Sequence, residues 1–154
     1  MSGKLAAEIR QSRPFQSIEE EAVLNLARTH EFVQQQMAEF FKQFGLTSTQ
    51  YNILRICRGA GPDGITCSQA AERMVTADPD ITRLLDRLEA RMLIERERSR
   101  DDRRRVITHI TAAGGELLKS IDKPLAAFLK KLMGRSSREQ LEQLIEILES
   151  MRQA

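Results

Sequence analysis

Residues 98–105 read Arg-Ser-Arg-Asp-Asp-Arg-Arg-Arg, five arginines and two aspartates in eight positions. The chain then passes at once into the β-branched alternation Val-Ile-Thr-His-Ile-Thr of residues 106–111. A guanidinium is a planar fork that meets a phosphate or carboxylate through two parallel N–H bonds. From position 83 to 105 there are nine arginines (Arg83, Arg87, Arg91, Arg96, Arg98, Arg100, Arg103, Arg104, Arg105) and no lysine, against six acids (Asp86, Glu89, Glu95, Glu97, Asp101, Asp102). An arginine-only bias of this density points to geometric recognition of an anion; the alternative is a solvated, charge-balanced face.

Other chemistries find no support. There is no HExxH, no paired CxxC, no glycine-rich phosphate loop and no GxSxG. The only histidines, His30 and His109, lie far apart in sequence, as they do from Cys57 and Cys67, so no metal site or catalytic residue is expected. Net charge is only +2, so the charge signal lies in its distribution. No apolar run approaches the roughly 18 residues of a membrane span, and no membrane partner is expected. The opening residues lack an apolar core of about 7–15 residues, and two cysteines make no disulfide framework; the cytoplasm is the expected compartment.

The elements that must position the arginines are legible from spacing. Ser17-Ile-Glu-Glu20 has the form of a capping box, with Ser17 as cap and Glu20 reaching back. Val23, Leu26, His30, Val33, Met37, Phe40 and Phe44 then recur at threes and fours, one apolar face over about seven turns, closed by Gly45. Thr47–Gln50 is a second capping box, followed by Tyr51, Leu54 and Cys57 on one side. The cluster Gly59–Gly64 breaks the chain, and Thr66-Cys-Ser-Gln69 opens a third helix carrying Ala70, Ala71 and Met74. A fourth helix is predicted to start with Asp78 as cap and Pro79 at its first position. Ile81, Leu84, Leu85, Leu88 and Met92 form its buried stripe, while Asp80, Arg83, Arg87 and Arg91 face the other way.

Residues 93–98 and 106–111 alternate and are joined by the charged tip, so they predict a two-stranded hairpin. A long helix follows from Thr111 toward Met133, with Pro124 expected to kink or divide it and Gly134 to stop it. Ser136-Ser-Arg-Glu139 is read as the cap of a last helix bearing Leu141, Leu144, Ile145, Leu148 and Met151.

Two short helices and a tight turn followed by a hairpin make a winged helix-turn-helix. The second helix offers an arginine-bearing face slim enough for a major groove about 12 Å wide. The hairpin tip can place arginine in a narrow minor groove, where the negative potential deepens. On this reading the aspartates hold selected guanidiniums in place.

Ile81-Thr-Arg-Leu-Leu-Asp-Arg-Leu-Glu89, Leu93-Ile-Glu-Arg96, Asp102-Arg-Arg104 and Ile110-Thr-Ala-Ala-Gly114 together resemble the MarR family of bacterial transcription regulators. The resemblance covers nearly the whole chain. It implies a mainly α fold, with dimerisation helices in 1–46 and 112–154 around a winged helix-turn-helix lobe at 47–111 with a two-stranded β wing. It further implies a homodimer bound to double-stranded DNA at a near-palindromic operator, commonly as a ligand-responsive repressor. Residue by residue it places Thr82 and Arg83 on the DNA-facing side of the recognition helix, and Asp102 and Arg104 in the wing. It also places Ser68 and Gln69 near the phosphate backbone. Asp80 and Arg87, about one turn either side of Arg83, and Arg100 and Arg103 in the basic tip join the candidate DNA-binding set. A surface ion pair stands as the alternative for Arg87, and a helix cap for Asp78. The sequence departs from the family at Met92, where glycine is common and where a non-glycine residue needs a strained or rearranged cap.

The resemblance also implies a small phenolic or aromatic effector. His30 and Tyr51 are candidates to line its cleft; the alternative is a hydrogen-bonded core histidine and a packed tyrosine. Cys67, at a helix N-terminus where a thiolate would be stabilised, raises a redox-sensing alternative; the other reading is a buried small hydrophobe. A dimeric winged-helix module that binds protein instead of DNA is the remaining alternative.

Overall fold

The computed structural model describes residues 3–153. The chain divides into two compact units, Met1–Ser48 and Thr49–Ala154. The first holds a short helix α1 (Leu5–Glu8), which the sequence did not announce, and the long helix α2 (Ile18–Lys42). Ser17 caps α2 by accepting from the Glu20 N–H at 3.2 Å. Glu20 reaches further back than expected, its Oε2 accepting from the N–H of Gln16. The turn that follows α2 reverses at Gly45, whose φ of 68° is left-handed. Leu46 N–H donates to Phe41 O and Gly45 N–H to Lys42 O, which closes the last turn. Phe40, Phe41 and Leu46 are buried there. Toward the N-terminus the predicted stripe stays uncovered: Val23 is 56% exposed, Leu26 40%, and His30 is exposed too. The expectation of a core histidine therefore fails in the single chain.

The second unit is built around α3 (Ser48–Ala60), α4 (Cys67–Arg73), α5 (Ile81–Ala90) and α6 (Ala112–Met133), with α7 (Arg138–Met151) last. Its core is apolar and closed: Ile53, Leu54, Leu88, Leu118 and Ile121 have no exposed surface. The hairpin strands β2 (Ile94–Arg98) and β3 (Val106–Ile110) pair antiparallel, Ile94 opposite Ile110 and Arg98 opposite Val106. A third strand, β1 (Ile65–Thr66), pairs with the other edge of β3, so the sheet has three strands in the order β1-β3-β2. Two residues are too few to show alternation, which is why the sequence reading stopped at two strands.

Three helix boundaries also differ from expectation. Asp78 does not cap α5; the cap is Asp80, whose Oδ1 accepts the Arg83 N–H at 3.2 Å, while Asp78 Oδ1 accepts the Asp80 N–H at 2.9 Å. Pro79 thus lies before the helix. The cap of α7 is Ser137 in a reciprocal box with Gln140, one residue later than read. Pro124 does not divide α6, which runs unbroken for 22 residues. One missing ladder bond is offset by the fully buried Leu118 and Ile121 just before it.

The turn from α5 into the wing is the tightest joint. Leu93 N–H donates to Leu88 O at 3.1 Å and Met92 N–H to Glu89 O at 2.8 Å, the double closure that requires a left-handed residue. Met92 takes that place with φ 56°. It stands outside the buried stripe to which the sequence pattern assigned it, at 74% exposure. Across the turn, Thr111 Oγ1 donates to Met92 O at 2.7 Å and accepts the Gly114 N–H at 3.1 Å. A Cβ on Gly114 would lie 2.2 Å from the Leu93 carbonyl oxygen, so α6 approaches this turn as only glycine permits.

Because Met92 packs little and sits where an L-residue is strained by roughly 1 kcal/mol, Met92→Gly is expected to stabilise the fold by about that amount. That is a rise of about 2–4 °C in Tm for a chain of this size. An unchanged or lower Tm would show that the turn carries no strain. A second prediction concerns the clamp between α3 and α6, in which Arg58 Nη1 and Nη2 meet Asp122 Oδ2 and Oδ1 at 2.9 and 3.1 Å. The Arg58 hydrogen bonds hold the Asp122 carboxyl below its usual range. Its contribution is therefore present above the ordinary aspartate pKa and is lost as pH falls through the lowered value. Both side chains are more than a third exposed, so Asp122→Asn should cost less than about 1 kcal/mol at pH 7. The gap from the native chain should close at acid pH in thermal melts.

Candidate nucleic-acid interface

The helix-turn-helix is held from behind by a polar residue inside an apolar run. Asn52, 8% exposed among Ile53, Leu54 and Ile56, accepts the Val75 N–H through Oδ1 at 2.9 Å. That bond fixes the turn between α4 and α5. The start of α4 is a reciprocal cap: Gln69 N–H donates to Thr66 Oγ1 at 3.2 Å, and Gln69 Oε1 accepts the Thr66 N–H at 3.1 Å. The Gln69 carbonyl is thereby occupied, which leaves its amide NH₂ as the group that can face a phosphate. Ser68 beside it is exposed.

Helix α5 is split by side. Leu84, Leu85 and Leu88 are buried at 7%, 2% and 0%, whereas Thr82, Arg83 and Arg87 are exposed. Asp80 is exposed as well, but its Oδ1 serves as the helix cap. No ion pair holds Arg83 or Arg87 among the described residues, so the surface-pair alternative for Arg87 is not the arrangement found.

The wing tip departs from expectation in a useful way. Asp102 does not grip a guanidinium: its Oδ1 accepts the Arg104 backbone N–H at 3.0 Å, and its carbonyl accepts the Arg105 N–H at 2.9 Å. Ser99 Oγ accepts the N–H groups of Asp101 and Asp102 at 3.3 and 3.4 Å. Asp102 and Ser99 build the turn, because a short carboxylate or hydroxyl reaches main-chain donors two or three residues away more readily than a distant side chain. The guanidiniums of Arg98, Arg100, Arg103, Arg104 and Arg105 are thus left without ion-pair partners among the described residues. Arg98, Ser99, Arg100 and Arg103 line a shallow depression at the tip.

His30 and Tyr51 fall in different units, on α2 and α3. Tyr51 is half-buried, and that burial pushes its phenol pKa up, so it stays a hydroxyl donor. Cys57 is fully buried, which pushes its thiol up to about 11 and keeps it protonated. Cys67 is half-buried at the first residue of α4, and both cysteines are free. Among the described residues no group of three or more His, Cys, Asp or Glu side chains could hold a metal, and no helix is long and apolar enough to cross a membrane.

Comparison with known proteins gives this arrangement its context. The model of the MarR family matches residues 44–105, from the end of α2 to the wing tip. The crystal structure of a MarR transcription factor from Planctomyces limnophilus is 39% identical with a TM-score of 0.69, over 88% of this chain and 98% of that one. The chain belongs to the MarR family. It is a MarR-family transcription regulator with a winged helix-turn-helix. The HTH-type transcriptional regulator MhqR of Bacillus subtilis is 28% identical over 80% of this chain and 83% of its own length. The S. aureus MepR structure, solved as a DNA complex, superposes with a TM-score of 0.74 at 26% identity, over 86% of this chain and 96% of that one.

Within this MarR-family lobe, two contributors went unread in the sequence. Asn52 could have been found as a polar residue on the inner side of an apolar helix. Arg96 could have been found from strand alternation, since it shares a sheet face with fully buried Ile94 and an arginine there demands a carboxylate.

Capping by Asp80 depends on an acceptor oxygen more than on charge, so Asp80→Asn should change stability by only a few tenths of a kcal/mol, and Asp80→Ala should lose about 1 kcal/mol. Equal losses in denaturant melts of the two variants would mean that the charge carries the effect.

Proposed function

We propose that this MarR-family regulator is a homodimer that binds a near-palindromic operator in double-stranded DNA. It represses transcription there and is released by a small phenolic or aromatic effector. The observation that carries the reading is the set of exposed guanidiniums, unpaired among the described residues, on α5 and at the wing tip, with the neighbouring acids engaged as caps and turn acceptors. A planar donor fork with no internal partner is available for phosphate oxygens or for guanine O6 and N7. Arg83 and Thr82 face the major groove, Arg104 enters the minor groove with Arg100 and Arg103 flanking it, and Ser68 and Gln69 meet the backbone. That the similar S. aureus MepR was solved as a DNA complex supports DNA as the partner of this lobe.

Dimerisation is supported by uncovered apolar surface. Helix α7 buries no residue, and Leu144, Ile145, Ile147 and Met151 are 41%, 53%, 58% and 50% exposed. Helix α2 leaves Ile18, Val23 and Phe32 exposed as well. An apolar helix face left exposed in this way marks an association site. A symmetric dimer would set its two recognition helices about 10 bp apart, one turn of the duplex. Tyr51, a half-buried hydroxyl donor, and His30 are the residues assigned to the effector.

The test is selection of sites from random duplex DNA by the native chain, Arg83→Ala and Arg104→Ala, followed by titration of the selected complex with phenolic compounds. The native chain should enrich a palindrome, and both variants should enrich it less. Affinity should fall by about three to five decades between roughly 50 and 200 mM salt if ~6–10 phosphates are neutralised. No enriched motif and no binding at low salt would make the winged helix a protein-binding scaffold. Retention of the complex by every compound would remove the effector from the reading.

A further inference from the structure

Of the nine arginines between positions 83 and 105, Arg96 is turned inward and engaged by two carboxylates. It is the third residue of β2, opposite Thr108 in the register, and its side chain is 23% exposed. Its Nε donates to Glu89 Oε2 at 2.9 Å, and its backbone N–H donates to Glu89 Oε1 at 3.1 Å. One carboxylate thus holds both the main chain and the side chain of the same strand residue. The terminal Nη2 of Arg96 turns to Asp86 Oδ1 at 2.6 Å, one helical turn earlier on α5. The result is a bridge from the recognition helix to the root of the wing, made of charge-assisted bonds on three separate donors.

We propose that Arg96 is a positioning residue that locks the wing to the recognition helix, so that both meet the duplex as one rigid unit; this rests on the DNA-binding reading above. The leverage is geometric. A strand rises about 3.3 Å per residue, so the turn of the wing lies roughly 15 Å beyond Arg96. A swing of about 10° at that root would move the tip by nearly 3 Å, enough to take a guanidinium out of hydrogen-bond range of a phosphate or base edge. The double closure at Met92 fixes where the chain leaves α5 and β1 anchors one edge of β3, while the Arg96 bridge ties β2, the other edge of the sheet, to the recognition helix. It also accounts for Asp86 and Glu89, two carboxylates on a helix that is to approach phosphates. Their charge is spent locally on Arg96.

The double variant Asp86→Asn/Glu89→Gln separates the possible roles by sign. It removes two negative charges near the duplex, so simple electrostatics makes binding tighter; loss of positioning makes it weaker. On the operator selected by the native chain, the expected result is about tenfold weaker binding at ~150 mM salt, the effect of losing one or two charge-assisted bonds. Hydroxyl-radical protection in the minor groove beside each half-site should fade, while methylation interference in the major groove under α5 persists. Arg96→Lys, which keeps the charge but not the fork, should fall between the native chain and the double variant, and it serves as the readout if the double variant melts too low to use.

Equal or tighter binding with the flanking protection intact would overturn the proposal. If the native chain selects no DNA at all, the DNA-binding reading fails by itself. Amide exchange over residues 94–98 and 106–110 then still decides the bridge: faster exchange in the variants upholds it as a tether, and unchanged exchange overturns it.

Discussion

The second unit turns on six residues, Leu88 to Leu93, counted from the last buried turn of α5. Leu88 O and Glu89 O take the two closing bonds, Met92 supplies the left-handed twist, and Leu93 O accepts the Thr111 N–H. Gly114 then brings the first turn of α6 against that same carbonyl. One backbone reversal therefore ends the recognition helix, begins the wing and seats the next long helix. A residue with a Cβ is strained at the pivot, and the chain tolerates this because hydrogen bonds on both sides determine the conformation. The direction of the wing follows from backbone geometry, and side-chain charge refines it.

The terminal helices obey a different constraint. Helix α7 has capping at its start and a regular apolar arc, yet no residue of it is buried. Local propensity is enough to shape such a helix, whereas most helical stability in proteins comes from packing of the apolar face. In the proposed dimer this face is where packing energy and DNA geometry become coupled, because the same chain that covers α7 also fixes the second recognition helix. An apolar surface that one chain leaves open is then the means by which half-site spacing is set.

Legibility followed physical range. The stripe Leu84, Leu85, Leu88 was readable because a helix repeats its own environment every three or four residues, and all three are buried. Gly45 and Thr66 were readable because caps are local. Asp78 and Asp80 could not be separated by pattern, since each is a valid cap; in the structure Asp80 caps the helix and Asp78 accepts the Asp80 N–H. Strand β1 owes its existence to β3, more than forty positions away, and two residues hold no periodicity. His30 shows the opposite failure. Its place on an apolar stripe suggested burial, but periodicity reports which face a residue shares and cannot say whether that face is covered by its own chain.

The arginine-rich stretch resolves into two populations that sequence alone presents as one. Arg96 lies on the inward side of a strand and is engaged by Glu89 and Asp86; Arg100, Arg103 and Arg104 lie on a turn in which the Asp102 carboxylate is occupied by a main-chain donor. The difference arises from strand alternation on one side and turn chemistry on the other, not from residue type. A buried or half-buried guanidinium must find a carboxylate, while an exposed one gains little from a surface pair and loses side-chain freedom to make it. Engaging the Asp102 carboxylate with the backbone leaves the tip guanidiniums without ion pairs among the described residues, so the tip does not fold onto itself. Residues 98–105 carry five arginines against two aspartates, so a chain whose net charge is only +2 concentrates a strongly basic tip there.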